Sequence, residues 1–417
     1  MSARFLGLFA VALAACSSSD QARKSPVAQG GSAAGNAPAT TVVDSSSGQS
    51  AVPGAAPSTT PAASTAASSS ASPSTRPAID VEKEFPVVRA LYVNRFKAQS
   101  SKRMHEYIRI ADETEINALV IDMKDEFGLN YVPTNPEWAK NAGTSGTIRN
   151  LPALLDTLRA HKILAIARMV VFKDSVTARL NPTHTIRKQD GSVWRDKKGL
   201  AWVNPYDRAI WNYNIGVAEE LAKMGFNEIQ FDYIRFPEPY PSLPQQVFPD
   251  NKGEAKPAAL ASFLKEANGR LDKFGARTTA DIFGLVTTVG GPLEVGQEWE
   301  KLAPVTDVLL PMTYPSHYPH GSFGISSPNA EPYRTIKIAI TRARERNEKL
   351  GIKGEHVRPW LQAFTLGSPH YGAQEIREQK RAVYDSGYEG WVLWSPGSKY
   401  EEFLPGLEKD LVPRAKK

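Results

Sequence analysis

From residue 88 onward, short apolar runs alternate with stretches in which apolar residues recur at helical spacing. Eight runs read as strands: 88–94 (VRALYVN), 118–124 (ALVIDMK), 164–172 (LAIARMVVF), 228–236 (EIQFDYIRF), 278–284 (TTADIFG), 307–314 (DVLLPMTY), 358–364 (RPWLQAF) and 390–396 (GWVLWSP). Helical patterns lie between them at 101–114, 151–161, 210–224, 256–274, 332–349 and 373–386. Strand and helix in alternation predict a parallel sheet, and eight repeats predict a closed (β/α)8 TIM barrel. A doubly wound open sheet is the rival, but no GxGxxG follows the first strand. Loop lengths favour the barrel. Helix-to-strand connections are short (160–162, 224–227, 386–389), whereas strand-to-helix connections are long (125–150, 173–207, 237–253, 315–331). Length is concentrated where barrel enzymes build their sites, at the carboxyl ends of the strands.

Period-two alternation then sorts each run into two faces, and the polar residues fall near the carboxyl ends. In NEIQFDYIRFP (227–237), Ile229 and Phe231 alternate with Gln230 and Asp232. A carboxylate in such a run needs a partner or a task, and an ion pair with Arg235 is the plainest explanation. Val120, Asp122 and Lys124 share a face of the second run. Arg168 ends the third, Asp281 the fifth, and Tyr92, Tyr314, Gln362 and Trp394 stand at comparable places in others. Glycoside hydrolysis needs one carboxyl to protonate the leaving oxygen and another as nucleophile or base. Asp232 is the candidate nucleophile or base and Asp281 the candidate general acid. Tyr92, Asp122, Lys124, Arg168, Arg235, Tyr314, Gln362 and Trp394 are candidate substrate-binding residues. The competing reading is a structural lattice in which Arg168, Lys124 and Arg235 neutralise the aspartates. Tyr92, Trp138, Trp194, Trp202, Tyr206, Tyr240, Tyr314, Trp360 and Trp394 are candidate platforms for pyranose rings. Asp190-Gly191 predicts a hairpin over the mouth.

Other chemistries find less support. His317 and His320 are the one close histidine pair, so no cofactor and no metal site is expected, although mouth carboxylates holding Mg or Ca would make a metal-assisted hydrolase or deacetylase an alternative. A non-catalytic carbohydrate-binding barrel is the other. Neither a GxSxG elbow nor a P-loop is present.

Composition divides the chain of 417 residues. Residues 1–15 (MSARFLGLFAVALAA) combine Arg4 with a short apolar core, as an export signal does. Leu13-Ala14-Ala15-Cys16 then resembles a lipobox, so Cys16, the single cysteine, is the expected lipidation site and membrane anchor. Ser17 after it implies sorting to the outer membrane of a bacterial cell envelope. Residues 16–80 are rich in Ser, Ala, Thr and Pro and too poor in apolar residues to offset ordering entropy, so a disordered tether spanning about 45 Å is expected. The barrel is expected over 81–417. A formal charge of +6, spread along an exported chain, argues against a nucleic-acid partner and leaves a polysaccharide as the expected one.

The segments ALVIDMKDEFG, WVNPYDRAIWNYNIGVAEEL, GFNEIQFDYIRFP, TTADIFG and PMTYPSHY resemble a bacterial glycoside hydrolase domain family of unknown function, a barrel related to α-amylase-like and other barrel glycosidases. The resemblance runs from about Pro86 to Pro405 and implies a polysaccharide-active barrel with its fourth-strand carboxylate at Asp232. Ile234 stands where chitinase-like barrels carry their acid, and Gln362 replaces the strand-seven glutamate of others. The amylase-like arrangement suits Asp232 and Asp281 better, with Glu238 as a spare acid.

Overall fold

The computed structural model describes residues 80–143 and 145–409. Cys16, the leader before it and the tether apart from Asp80 therefore lie outside the described residues. The strands are β1 (Arg89–Val93), β2 (Ala118–Asp125), β3 (Gly128–Leu129), β4 (Leu164–Val170), β5 (Glu228–Asp232), β6 (Arg277–Phe283), β7 (Val308–Met312), β8 (Trp360–Gln362) and β9 (Trp391–Trp394). All pairings are parallel except that of β3, a two-residue strand folded back on the end of β2. Because β1 pairs with both β9 and β2, the other eight strands close into a barrel. This is the predicted (β/α)8 architecture.

Helices Ser101–Glu113, Leu151–Ala160, Arg208–Met224, Lys256–Leu271, Pro332–Lys349 and Ala373–Asp385 fill six crossovers, while the one after β6 holds only Trp299–Leu302. Local chemistry sets their ends. Asp207 caps Arg208–Met224 by accepting from Ala209 N–H, and Gly225 stops it at φ 116°, a conformation that favours glycine.

The period-two pattern is realised as two buried layers. Leu91, Val93, Leu119, Ile121, Ala167, Phe231, Ile282 and Leu393 belong to the cluster between strands and helices. Ala90, Tyr92, Val120, Ile166, Leu310, Trp360, Val392 and Trp394 belong to the barrel interior, together with Val81 and Phe85 from the start of the described chain. The interior also holds charge. Glu228, fully buried at the start of β5, pairs with Arg358 (2.5 Å) and Arg277 (2.8 Å). That triad leaves no unpaired carboxylate low in the barrel around β5.

β2 departs from simple alternation. Asp122 is in register with Arg168, but Lys124 is in register with Met169, so one extra residue has entered β2. Such a bulge shifts the side-chain phase. Asp122 keeps the inward face, whereas Lys124 sits opposite an outward-facing residue.

Candidate active site

The site is assembled on Arg168, which points inward from β4 between Asp122 on β2 and Gln230 on β5. Its Nη1 donates to Asp122 Oδ1 (2.5 Å), and its Nε donates to Asp232 Oδ2 (3.0 Å), which Nη2 also reaches. The same Nε is 3.9 Å from Asp281 Oδ2. Two carboxyl oxygens flanking one nitrogen at those distances are at most about 7 Å apart, a range that includes retaining pairs and the short end of inverting ones.

A ring of contacts closes around the mouth. Tyr92 Oη donates to Asp122 Oδ2 (2.5 Å), and the Tyr92 ring meets Trp360 edge-on at 6.1 Å. Trp360 Nε1 donates to Asp281 Oδ1 (2.7 Å), and Gln230 Nε2 donates to both Asp281 oxygens (2.8 and 3.1 Å). Asp281 is therefore held mainly by neutral donors. Burial pushes its carboxyl well above the usual carboxylate range, and the nearby Asp232 charge adds to this against the pull of Arg168. Burial also raises Asp122, opposed by Arg168 and Tyr92. The Tyr92 phenol is raised by burial first and by Asp122 second.

Asp232 ends β5 at the rim and is 8% exposed, against 1% for Asp281. Tyr233 follows it at φ 50°, a left-handed conformation unusual for an aromatic residue, and its N–H donates to Asp232 Oδ1 (2.5 Å). That turn fixes the orientation of the carboxylate.

Asp122, Arg168, Asp232, Asp281 and Tyr92 thus converge, while other candidates are placed differently. The bulge in β2 takes Lys124 to Asp174 (2.7 Å) and the Val170 carbonyl (2.6 Å), fully buried. Arg235 pairs with Glu238 (3.1 Å), so the partner of Asp232 is Arg168 and the expected Asp232–Arg235 ion pair gives way to it. Gln362 accepts from Ser316 N (3.1 Å) and Ser316 Oγ (2.8 Å), thereby holding the loop after β7. Tyr314 and Trp394 stack on each other at 5.0 Å, with the partly exposed Phe364 edge-on to both. The mouth is consequently divided: acids and Arg168 lie on β2, β4, β5 and β6, and rings lie around β7, β8 and β9.

Several expected sugar platforms are core residues. Trp194, Trp202 and Trp360 are at most 2% exposed. Trp194 Nε1 donates to the Pro244 carbonyl and Trp202 Nε1 to Asp196 Oδ2, which ties down the loop after β4. Trp138, Tyr233, Tyr240 and Phe364 keep partial exposure. The Asp190-Gly191 hairpin is present, with Lys188 N–H donating to the Ser192 carbonyl (2.8 Å). Among the described residues no group of three or more His, Cys, Asp or Glu side chains is arranged to hold a metal. His317 Nδ1 contacts Ser316 Oγ and His320 Nδ1 contacts the Ser326 carbonyl. Sequence reasoning missed Gln230 and the hydrogen-bonding role of Trp360, since both depend on pairing across the barrel.

A family model described as a putative glycosyl hydrolase domain matches residues 90–400. No curated protein sequence matches the chain. Among solved structures, a hypothetical protein from Ruminiclostridium thermocellum ATCC 27405 is 34% identical, with 46% of this chain and 96% of that one covered and a TM-score of 0.42. The PgaB (BpsB) glycoside hydrolase domain from Bordetella bronchiseptica is 13% identical over 75% of this chain and 95% of that one, with a TM-score of 0.54, which supports the barrel fold. A class V chitinase from Pseudomonas fluorescens Pf-5 is 13% identical over 76% and 99%, with a TM-score of 0.47.

Proposed function

Because this chain belongs to the family described as a putative glycosyl hydrolase domain, we propose that it cleaves glycosidic bonds of a polysaccharide at the carboxyl-end mouth of the barrel. Asp281 is the general acid, and Asp232 is the nucleophile or the base that activates water. One observation carries this assignment. Two carboxyls flank Arg168 Nε, one hydrogen-bonded to it and the other 3.9 Å away, buried and pushed well above the usual carboxylate range. Carboxyls whose environments push them apart in this way divide into acid and base roles.

In the bond-breaking step Asp281 gives its proton to the glycosidic oxygen, and the leaving sugar departs with it. The positive charge growing on the ring is met by Asp232, whose position is held by Tyr233 N–H and Arg168. Asp281 lies deeper than Asp232, so a sugar ring must enter the mouth for the proton to reach its oxygen.

The ion pairing of Asp122 and Asp232 with Arg168 favours a second reading, a barrel that binds glycans without cutting them. Reducing-end release from a panel of polysaccharides separates the two. Hydrolysis by the wild type, with Asp232→Asn and Asp281→Asn each about a hundredfold slower or worse, is the expected result. Full activity in Asp232→Asn, or binding with no product from any glycan, overturns the proposal.

A further inference from the structure

Beside the acids, the rim carries cations that the proposed chemistry does not use. Lys173 lies three residues beyond β4. Val171 N–H donates to the Asp232 carbonyl (2.8 Å) and Phe172 N–H reaches the Tyr233 carbonyl (3.4 Å), so Lys173 runs alongside the stretch that follows Asp232. It is 9% exposed, and its ammonium lies 4.8 Å from the centre of the Tyr233 ring. Among the described residues its ammonium has no hydrogen bond and no ion pair. Burial accordingly pushes the amine down from its ordinary value, with the fields of Asp196 and Glu126 acting against this and those of Arg235 and Lys198 adding to it.

Folding gives no reason for that arrangement. Held to 9% exposure against one ring and without an ion pair, the lysine gains little for the fold from its charge. Of the acids nearby, two are engaged elsewhere, while Glu126 keeps one buried oxygen without a hydrogen-bond partner. Glu238 pairs with Arg235, and Asp196 accepts from the backbone N–H groups of Lys198 and Leu200 and from Trp202 Nε1. Glu126 reaches Lys173 only through its field. Arg235 Cζ is also 4.9 Å from the centre of the Tyr233 ring, and Lys197 Nζ is 3.3 Å from the centre of the Tyr240 ring. Lys173 is thus a cation against a ring, with no hydrogen-bonded acid of its own among the described residues, beside the stretch that follows Asp232.

We infer that the rim beside Asp232 is a subsite for an anionic substituent of the glycan, a carboxylate or a phosphate, and that Lys173 is the residue that meets it. The inference rests on the glycan-active reading of the mouth and names the substrate class: an acidic polysaccharide. A neutral hydroxyl would leave the ammonium without a counter-charge. An anion supplies one at a side chain only 9% exposed, so the ion pair is less screened than at an open surface.

Affinity electrophoresis of the full chain tests this in native gels containing polygalacturonate, poly(glycerol phosphate) or dextran. The proteins are the wild type, Lys173→Met, and Lys265→Met, which removes one exposed positive charge from helix Lys256–Leu271. The expected result is retardation by at least one polyanion and none by dextran, weakened about tenfold or more by Lys173→Met and little changed by Lys265→Met. Which polymer retards the protein identifies carboxylate or phosphate. Lys173→Met is also expected to melt near the wild type, since it removes no hydrogen bond and no ion pair among the described residues of the folded chain. Equal losses in both variants, no retardation by either polyanion, or a lowered Tm in Lys173→Met with retardation intact would overturn the inference. Polyanion binding without cleavage overturns the hydrolase reading alone, whereas cleavage of a neutral glycan without polyanion binding overturns this one alone.

Discussion

At the scale of single residues, Asp281 ties ionisation to stability. Its carboxyl is pushed well up by burial, so the folded chain keeps a proton that the unfolded chain releases near pH 4. Between those two points the unfolded state binds fewer protons, and stability falls as pH rises. Asp281→Asn removes that penalty. Its amide oxygen can still accept from Trp360 Nε1 and Gln230 Nε2, which both bond Oδ1 in the wild type. The variant is expected to melt above the wild type at pH 8, with the difference shrinking toward pH 4, while hydrolysis is lost at every pH. Calorimetry across that range checks it, and a gap that widens toward acid pH would contradict the assigned protonation state.

At the scale of elements, the bulge in β2 decides which charged residues face the site. Without it, Asp122 and Lys124 would share the inward face, as the alternating pattern suggests. With it, Lys124 joins Asp174, the residue that caps helix Ser175–Leu180 through Thr177 N–H (2.8 Å). The pair is buried on both sides, and removing one partner strands the other charge. Lys124→Met is therefore expected to destabilise the fold by about 3–5 kcal/mol in urea unfolding. Any surviving folded enzyme should keep its KM. A raised KM with unchanged stability would return Lys124 to the substrate. Nothing in Asp122-Met123-Lys124 marks the bulge, since neither glycine nor proline interrupts the run. It arises from how β2 meets β4 and β3.

At the scale of the whole molecule, one end of the barrel is elaborated and the other is plugged. Long loops gather at the carboxyl ends of the strands, whereas Val81 and Phe85 join Ala118, Leu164 and Val308 in the interior cluster at strand beginnings. Phe85→Ala should cost about 3 kcal/mol or more by leaving a cavity under the barrel, measurable as a lowered urea midpoint. The plug lies at the end opposite the acids, so kcat is expected to stay near that of the wild type.

Strand positions, most of their inward and outward faces and the barrel are readable from the sequence. Each follows from local periodicity and from loop lengths, which need no knowledge of distant partners. Asp232 and Asp281 stand out for the same reason: each is a carboxylate in an otherwise apolar run. Tertiary structure alone decided the rest. Arg168 meets Asp122 and Asp232 across 46 and 64 residues of chain, Trp360 meets Asp281 across 79, and Lys124 turns away at a register shift. Charge pairing and burial are properties of neighbours in space. They set which carboxyl is paired, which is pushed toward its protonated form and which ammonium is left without an ion pair, and the order of residues along the chain does not contain them in readable form.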